Sequence, residues 1–151
     1  MIKIILTEQT YPIRRAVLRK EFPDEPHQFN GDLDPHTFHL GYFEKNDIKG
    51  VVTIMKNGSV AQLRGMAVSE YCQGKGIGKM LIEKAEEILQ KDKISKIWMN
   101  AREKAVPFYE KCGYKIEGEI FIIKPIGFHY LMAKYFDWYY KTKAYLKLED
   151  F

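Results

Sequence analysis

The residues best suited to chemistry lie in a glycine-rich segment, Gln73-Gly74-Lys75-Gly76-Ile77-Gly78-Lys79. The segment follows a strand-like run and opens a helix, so several backbone N–H groups and the positive end of a helix dipole converge on one point. That arrangement binds phosphate. Two common phosphate loops do not fit the spacing. A P-loop needs Ser or Thr after Gly78-Lys79, where Met80 stands, and a dinucleotide fingerprint needs a third glycine at Lys79.

A second chemically informative segment runs from residue 100 to residue 114 and reads NAREKAVPFYEKCGY. Together with Q-x-x-G-x-G at residues 73–78, it resembles the GNAT superfamily of acyl-CoA-dependent N-acyltransferases. Members of that family carry R/Q-x-x-G-x-G/A at a strand-loop-helix junction and, later, N-x-x-x-x-A-x-x-F-Y-E-K-x-G-F/Y. The second motif is matched at Asn100, Ala105, Phe108, Tyr109, Glu110, Lys111, Gly113 and Tyr114. The resemblance implies an N-acetyltransferase that moves an acetyl group from acetyl-CoA to a primary amine by direct attack in a ternary complex.

The resemblance also implies where acetyl-CoA, the co-substrate, binds. Backbone N–H groups of residues 66–68 hold the thioester carbonyl and the pantetheine arm, and those of residues 73–79 hold the diphosphate. Asn100 meets the pantetheine amide from the opposite side. Fixed N–H donors of this kind stabilise a developing oxyanion and bind phosphate. The implied cofactor-binding residues are Met66, Ala67, Val68, Gln73, Gly74, Lys75, Gly76, Ile77, Gly78, Lys79, Asn100, Ala105 and Phe108.

Acyl transfer needs a proton for the departing thiolate and a base for the attacking ammonium. By the resemblance, Tyr109 is the general acid, because a phenol with a pKa of ~10 stays protonated at neutral pH yet can donate to a thiolate. The base stays open between His129 and Glu119, and a histidine, with a pKa of ~6.5, is the better tuned. Gly127-Phe128-His129 lacks the proline that some bacterial members carry before the corresponding histidine, so a structural role for His129 is the competing interpretation.

Composition limits the class of protein. A chain of 151 residues predicts one domain, at residues 1–134, followed by an aromatic-rich extension at 135–151. No apolar run approaches the ~20 residues of a membrane span, and the N-terminus has too short an apolar stretch for a secretory signal. With only Cys72 and Cys112, and no CxxC pair, a cytoplasmic location is expected. There is no HExxH and no Cys/His cluster, so no metal is predicted.

The net charge of +4 is concentrated in the segment that carries both motifs. Residues 61–116 hold 11 basic and 7 acidic side chains, whereas the flanking segments are each balanced. A mildly basic middle suits an anionic cofactor, and a nucleic-acid-binding protein would show denser Lys/Arg clusters. In the balanced extension, the crowded aromatic residues favour packing on the domain, or on a second subunit of a homodimer, over nucleic-acid binding.

The elements that position these residues follow from periodicity and turn chemistry. The predicted order, β-α-β-β-β-α-β-α-β-β, is a mixed, mostly antiparallel central sheet with flanking helices, which is also the order that the resemblance implies. Asn57-Gly58 predicts a type I′ hairpin. Strands are expected at residues 3–6, 37–43, 50–56, 60–68, 94–100, 114–120 and 127–134, and helices after Thr10, after Gly76 and over 103–111.

The side chains that would face the amine acceptor lie in the first helix and the loop after it. Arg14, Arg15 and Arg19 fall off the apolar stripe of that helix, and the loop carries Asp24, Glu25, Asp32 and Asp34. In the family these segments form one wall of the acceptor site, so the resemblance implies a cationic amine steered by the loop; a plain surface loop is the alternative. The acceptor, a small molecule or a peptide, stays open. A second class of function is a non-catalytic CoA-binding or nucleic-acid-associated module.

Overall fold

The computed structural model describes residues 1–136, which are organised around one eight-stranded sheet. The strands are β1 (Ile2–Ile5), β2 (Thr37–Glu44), β3 (Asp47–Asn57), β4 (Val60–Val68), β5 (Lys96–Arg102), β6 (Lys115–Ile116), β7 (Phe121–Ile123) and β8 (Gly127–Tyr135). Their order across the sheet is β1-β2-β3-β4-β5-β8-β6, with β7 also paired to β8. Among the described pairs only β4 and β5 run parallel, so the predicted mixed, mostly antiparallel sheet is confirmed.

Two hydrophobic core clusters pack helices against the sheet. Helix α2 (Ile77–Lys91) buries Leu81, Ile82, Ala85 and Leu89 in the larger cluster, which the short helix α3 (Val106–Lys111) joins through Val106 and Tyr109. The smaller cluster contains Val51, whereas its neighbour Val52 belongs to the larger one. Because successive strand residues point to opposite faces, the clusters cover opposite faces of the sheet. Within residues 1–136, no helix has the length and apolar character needed to cross a membrane.

The first helical segment is less regular than the sequence predicts. A 3-10 turn at Thr7–Thr10 leads into α1 (Tyr11–Ile13), and a π turn at Arg14–Leu18 follows. Thr10, after which the helix was expected to start, makes no side-chain capping hydrogen bond, because its hydroxyl donates to the Thr7 carbonyl at 2.6 Å. The helical backbone has therefore already begun at Thr7.

The strand predicted at residues 114–120 is wrong as a single element. Gly118, with φ of +90°, interrupts the extended backbone, so only the short strand β6 lies within that range. Strand β7 begins after it, and both strands pair with β8. Strand β8 also continues to Tyr135, and Phe136 is buried in the larger core cluster. The first two residues of the predicted extension are thus integrated with the domain. The predicted packing of the rest of the extension lies outside the described residues.

The parallel strands β4 and β5 separate soon after they meet. Only Val60–Gln62 of β4 pairs with Lys96–Trp98 of β5, although both strands continue for several residues. On its other edge β4 pairs with β3, where Val51 lies opposite Ala67 and Thr53 lies opposite Arg64. The register shifts between these two pairs, which marks a bulge or irregularity. A bulge bends and twists a strand locally. The two parallel strands therefore leave an opening in the middle of the sheet.

Candidate active site

A cleft of about 490 Å³ lies where β4 and β5 part. Its walls come from the end of the first helical segment, the loop after it, the two strands, α3 and the turn between β7 and β8. Pockets of this volume hold small molecules. The predicted site residues that meet in the cleft are Met66, Asn100, Ala105, Tyr109 and His129.

Tyr109, the predicted acid, is buried in the wall of the cleft. Its ring packs at 5.1 Å from that of Phe108 and at 6.2 Å from that of Tyr114. Burial raises the pKa of Tyr109, and the nearby Cys112 thiol adds to the rise, while Arg102 opposes it. The phenol therefore stays protonated at neutral pH and is available as a proton donor on the cleft.

The glycine-rich turn before α2 is open to an incoming anion. Gly76 caps the helix with φ of +83°, and Gly74 has φ of +80°; a Cβ at either would meet nothing within 4 Å. In the described part of the chain, no group accepts a hydrogen bond from the backbone N–H groups of residues 74–79. These are the unsatisfied donors of a helix N-terminus, which bind anions. The backbone N–H groups of this turn are thus free to bind an anionic group.

The turn is tied to the strand before it and to α3. Gln73 donates its side-chain N–H to the Val68 carbonyl at 2.9 Å, which folds the turn back onto the end of β4. A Cβ on Gly78 would lie 3.0 Å from the ring of Phe108, so a larger residue there would require the ring to shift by a few tenths of an ångström. Phe108 therefore positions the turn and does not line the cleft itself.

The remaining predicted cofactor-binding residues lie along β4. Met66 faces the cleft, Ala67 is buried in the smaller core cluster, and Val68 packs against the larger one. Their backbone is thus fixed from both faces of the sheet.

The two predicted bases occupy different surroundings. His129 is buried on the cleft, stacks on Phe121 and has its Nδ1 2.8 Å from the Gly127 carbonyl. A carbonyl only accepts, so Nδ1 carries the hydrogen and the neutral ring keeps its lone pair on Nε2. Glu119 is exposed between β6 and β7 and does not line the cleft. Of the two predicted bases, therefore, only the histidine lines the same cleft as Tyr109.

Three half-buried arginines in the cleft, Arg19, Arg64 and Arg102, were not predicted from the sequence. Burial lowers the pKa of each guanidinium, and Arg102 lowers that of Arg19 further by repulsion. The only sequence signal was the positive charge of residues 61–116, which holds two of them. Within residues 1–136, no three His, Cys, Asp or Glu side chains come close enough to hold a metal ion.

The predicted acidic wall is largely absent. Of its four carboxylates only Glu25 lines the cleft, because Asp32 is buried in an ion pair with Arg14 at 2.7 Å and Asp24 and Asp34 are exposed away from it. Arg14, expected off the apolar stripe, is fully buried for the same reason. The cleft wall is therefore cationic where an acidic one was expected.

Comparison with known proteins identifies the family. The family profile of the acetyltransferase (GNAT) domain matches residues 7–133. The uncharacterized N-acetyltransferase YitI of Bacillus subtilis (strain 168) is 33% identical over 140 residues, which cover 88% of this chain and 94% of that protein.

Solved structures show the same fold at low identity. An acyl-CoA N-acyltransferase from Pseudomonas aeruginosa has a TM-score of 0.77 at 12% identity, covering 89% of this chain and 99% of that one. The PaiA N-acetyltransferase from Thermoplasma acidophilum, solved in complex with coenzyme A, has a TM-score of 0.71 at 20% identity, covering 90% and 99%. With the profile match over most of its length, the chain belongs to the GNAT family of acetyltransferases.

Proposed function

We propose that this acetyltransferase moves an acetyl group from acetyl-CoA to a primary amine, with both substrates held together as the amine attacks directly. The observation that carries the proposal is the meeting of Tyr109, Asn100 and Met66 in the cleft between β4 and β5. The open turn at residues 74–79, whose N–H groups suit a diphosphate, supports it. Coenzyme A bound to the Thermoplasma acidophilum relative supports the choice of thioester.

Each segment then has one task. The N–H groups of residues 74–79 hold the diphosphate, Asn100 binds the pantetheine amide, and the backbone at Met66 donates to the thioester oxygen. Bound acetyl-CoA supplies the activated carbonyl carbon. Donors that are already fixed stabilise the charge that develops on the oxygen without reorganising during the reaction.

Two proton transfers balance the reaction. A bond forms between the amine nitrogen and the acetyl carbon, the carbon–sulfur bond breaks, the nitrogen loses a proton and the sulfur gains one. Tyr109, whose pKa burial raises, donates to the sulfur. His129, with its Nδ1 hydrogen held by the Gly127 carbonyl, accepts the amine proton at Nε2. Glu119 has no part in this scheme because it is exposed outside the cleft.

A thiol-release assay with acetyl-CoA and a panel of amines tests the proposal. We expect Tyr109→Phe to lower kcat by about 100-fold or more with acetyl-CoA binding unchanged, since general acids contribute factors of about 10² to 10⁴. The variant keeps the ring packing, and no group within residues 1–136 hydrogen-bonds the hydroxyl that it removes. Tyr71→Phe, on an exposed tyrosine beside the glycine-rich turn, is the matched control. Binding of acetyl-CoA without turnover of any amine would instead indicate a non-catalytic CoA-binding module.

A further inference from the structure

Three arginines reach the cleft from three of its walls without a carboxylate partner. Arg19 follows the π turn, Arg64 lies in β4 and Arg102 ends β5. In the part of the chain that the structure describes, none of them forms an ion pair. The cleft adds a fourth cation, Lys124, and one carboxylate, Glu25. Its lining therefore carries an excess of positive charge.

Backbone carbonyls hold all three guanidinium groups in place. Arg19 donates from Nε to the Pro26 carbonyl at 2.7 Å, and Arg102 donates from Nη2 to the Leu18 carbonyl at 3.1 Å. Arg64 donates from Nη1 to the Asn30 carbonyl at 3.5 Å. A guanidinium has five N–H donors in a planar fork, so most of them remain available. Groups fixed in this way are preorganised for bidentate binding of a carboxylate or a phosphate.

The guanidinium groups of Arg19 and Arg64 pack around the ring of Phe29. The guanidinium carbons of Arg14, Arg64 and Arg19 lie 3.9, 4.9 and 5.6 Å from the centre of the Phe29 ring. Of these three, only Arg14 forms an ion pair within residues 1–136, with Asp32. Cations on an aromatic face gain some stabilisation, but half-buried like charges still repel one another and lose hydration. An anion entering the cleft would relieve that repulsion.

The diphosphate of the co-substrate does not account for Arg19 and Arg64. Arg102 also borders a neighbouring pocket that Gln73 lines, but Arg19 and Arg64 do not. None of residues 73–79 lines the cleft, whereas Asn100, Tyr109 and His129 do. An anion bound by the arginines would therefore lie in the same small cavity as the proposed acid and base. An amine carried on the same molecule would be placed beside them.

Resting on the proposed function, we propose that the acceptor is a small amine that also carries a carboxylate or phosphate group, and that Arg19, Arg64 and Arg102 bind that anion. The arginines act as specificity-determining residues: they place the molecule by its acidic end and leave its amine to react. Cationic acceptors such as polyamines are disfavoured by the same charges.

Matched amine pairs in the thiol-release assay test this assignment. Each L-amino acid is compared with its α-amide, and O-phosphoethanolamine with ethanolamine, so that the two arms separate carboxylate from phosphate. We expect kcat/KM for at least one acidic member to exceed that of its neutral partner by about 10- to 100-fold, the range for a charged hydrogen-bonded pair. Preference for the neutral partners in both arms, or for polyamines, would overturn the assignment.

Arginine variants locate the effect. Arg64→Met should raise KM for the preferred acidic amine by about 10- to 100-fold and leave KM for acetyl-CoA unchanged. Arg15→Met, on an exposed arginine of the first helical segment outside the cleft, is the matched control and should change neither. Equal effects of both variants would contradict the assignment.

A binding experiment keeps the test independent of turnover. Calorimetric titration of the CoA-saturated chain with each member of a pair measures the anion site directly. Tighter binding of the acidic member, lost in Arg64→Met, supports the site even if no amine is acetylated, in which case the proposed function alone has failed. Equal affinity within every pair rejects the anion site.

Discussion

Asp32→Asn tests how the loop that forms one wall of the cleft is held. The Asp32 carboxylate accepts hydrogen bonds from Arg14 Nη1 at 2.7 Å, from Arg14 Nη2 at 3.0 Å and from the Phe29 N–H at 2.8 Å. The side chain of Arg14 is 0% exposed and that of Asp32 is 4% exposed. In the variant, Arg14 keeps its charge in a buried position without a counter-charge. Removal of one partner of a buried pair costs about 3–5 kcal/mol.

The consequence reaches the cleft because the same pair anchors the loop. Arg14 Nη1 also donates to the His27 carbonyl at 2.9 Å, and Phe29 is held directly by Asp32. We therefore expect Asp32→Asn to lower the free energy of unfolding by about 3–5 kcal/mol and to raise KM for the amine. Asp24→Asn is the same change at an exposed position of the loop, and its free energy of unfolding should stay within about 0.5 kcal/mol of that of the parent.

Urea unfolding monitored by far-UV circular dichroism measures these differences. The double variant Arg14→Met/Asp32→Leu removes both charges, so it should recover most of the stability that the single variant loses. A loss below about 1 kcal/mol in Asp32→Asn, or a double variant no more stable than the single one, would refute the assignment of the cost to an uncompensated buried charge.

Two further predictions concern a buried histidine and the glycine-rich turn. Burial lowers the pKa of His39, and Arg14 adds to this, so the unfolded chain takes up a proton first as the pH falls below ~6.5. The stability that neutral His39 contributes is thus present above about pH 6.5 and lost at lower pH. We expect the urea midpoint of His39→Gln to change less with pH, between about pH 7 and pH 5, than that of the parent. In Gly76→Ala, the left-handed φ of +83° strains the turn by about 1–2 kcal/mol, and acetyl-CoA binding should weaken by up to about 5- to 30-fold as measured by calorimetry. Gly58→Ala, with φ of +64° and equally open surroundings in the β3–β4 hairpin, should lose similar stability without affecting acetyl-CoA; equal binding losses would contradict the role of the turn.

Features that are set by a few neighbouring residues were predictable from the sequence. A hairpin joins β3 to β4 as expected, and the turn at residues 73–79 opens α2. The predicted type I′ turn centred on Asn57-Gly58 is wrong, because Asn57 pairs with Val60 in the ladder and, of the residues at the turn, only Gly58 has a positive φ. Each depends on local backbone chemistry, which residue types report directly. The strand expected at 114–120 is wrong because Gly118 adopts a positive φ there, and a lone glycine among alternating polar and apolar residues does not reveal whether it bends the chain.

The sign of the charge that lines the cleft could not be predicted from the sequence, because it depends on which charged side chains pair with one another. The loop before β2 is rich in carboxylates, yet its one fully buried carboxylate, Asp32, is neutralised by Arg14, 18 residues earlier in the chain. That pairing requires the loop to fold back over the first helical segment. The hydrophobic periodicity of the sequence does not indicate such a tertiary contact. Arg64 and Arg102, in contrast, come from strands on either side of the opening and form no ion pair within residues 1–136. The sign of a cleft is set by the charges left over after pairing, so an acidic loop and a cationic cleft wall coexist in one chain, and this leftover charge is what the proposed acidic acceptor would match.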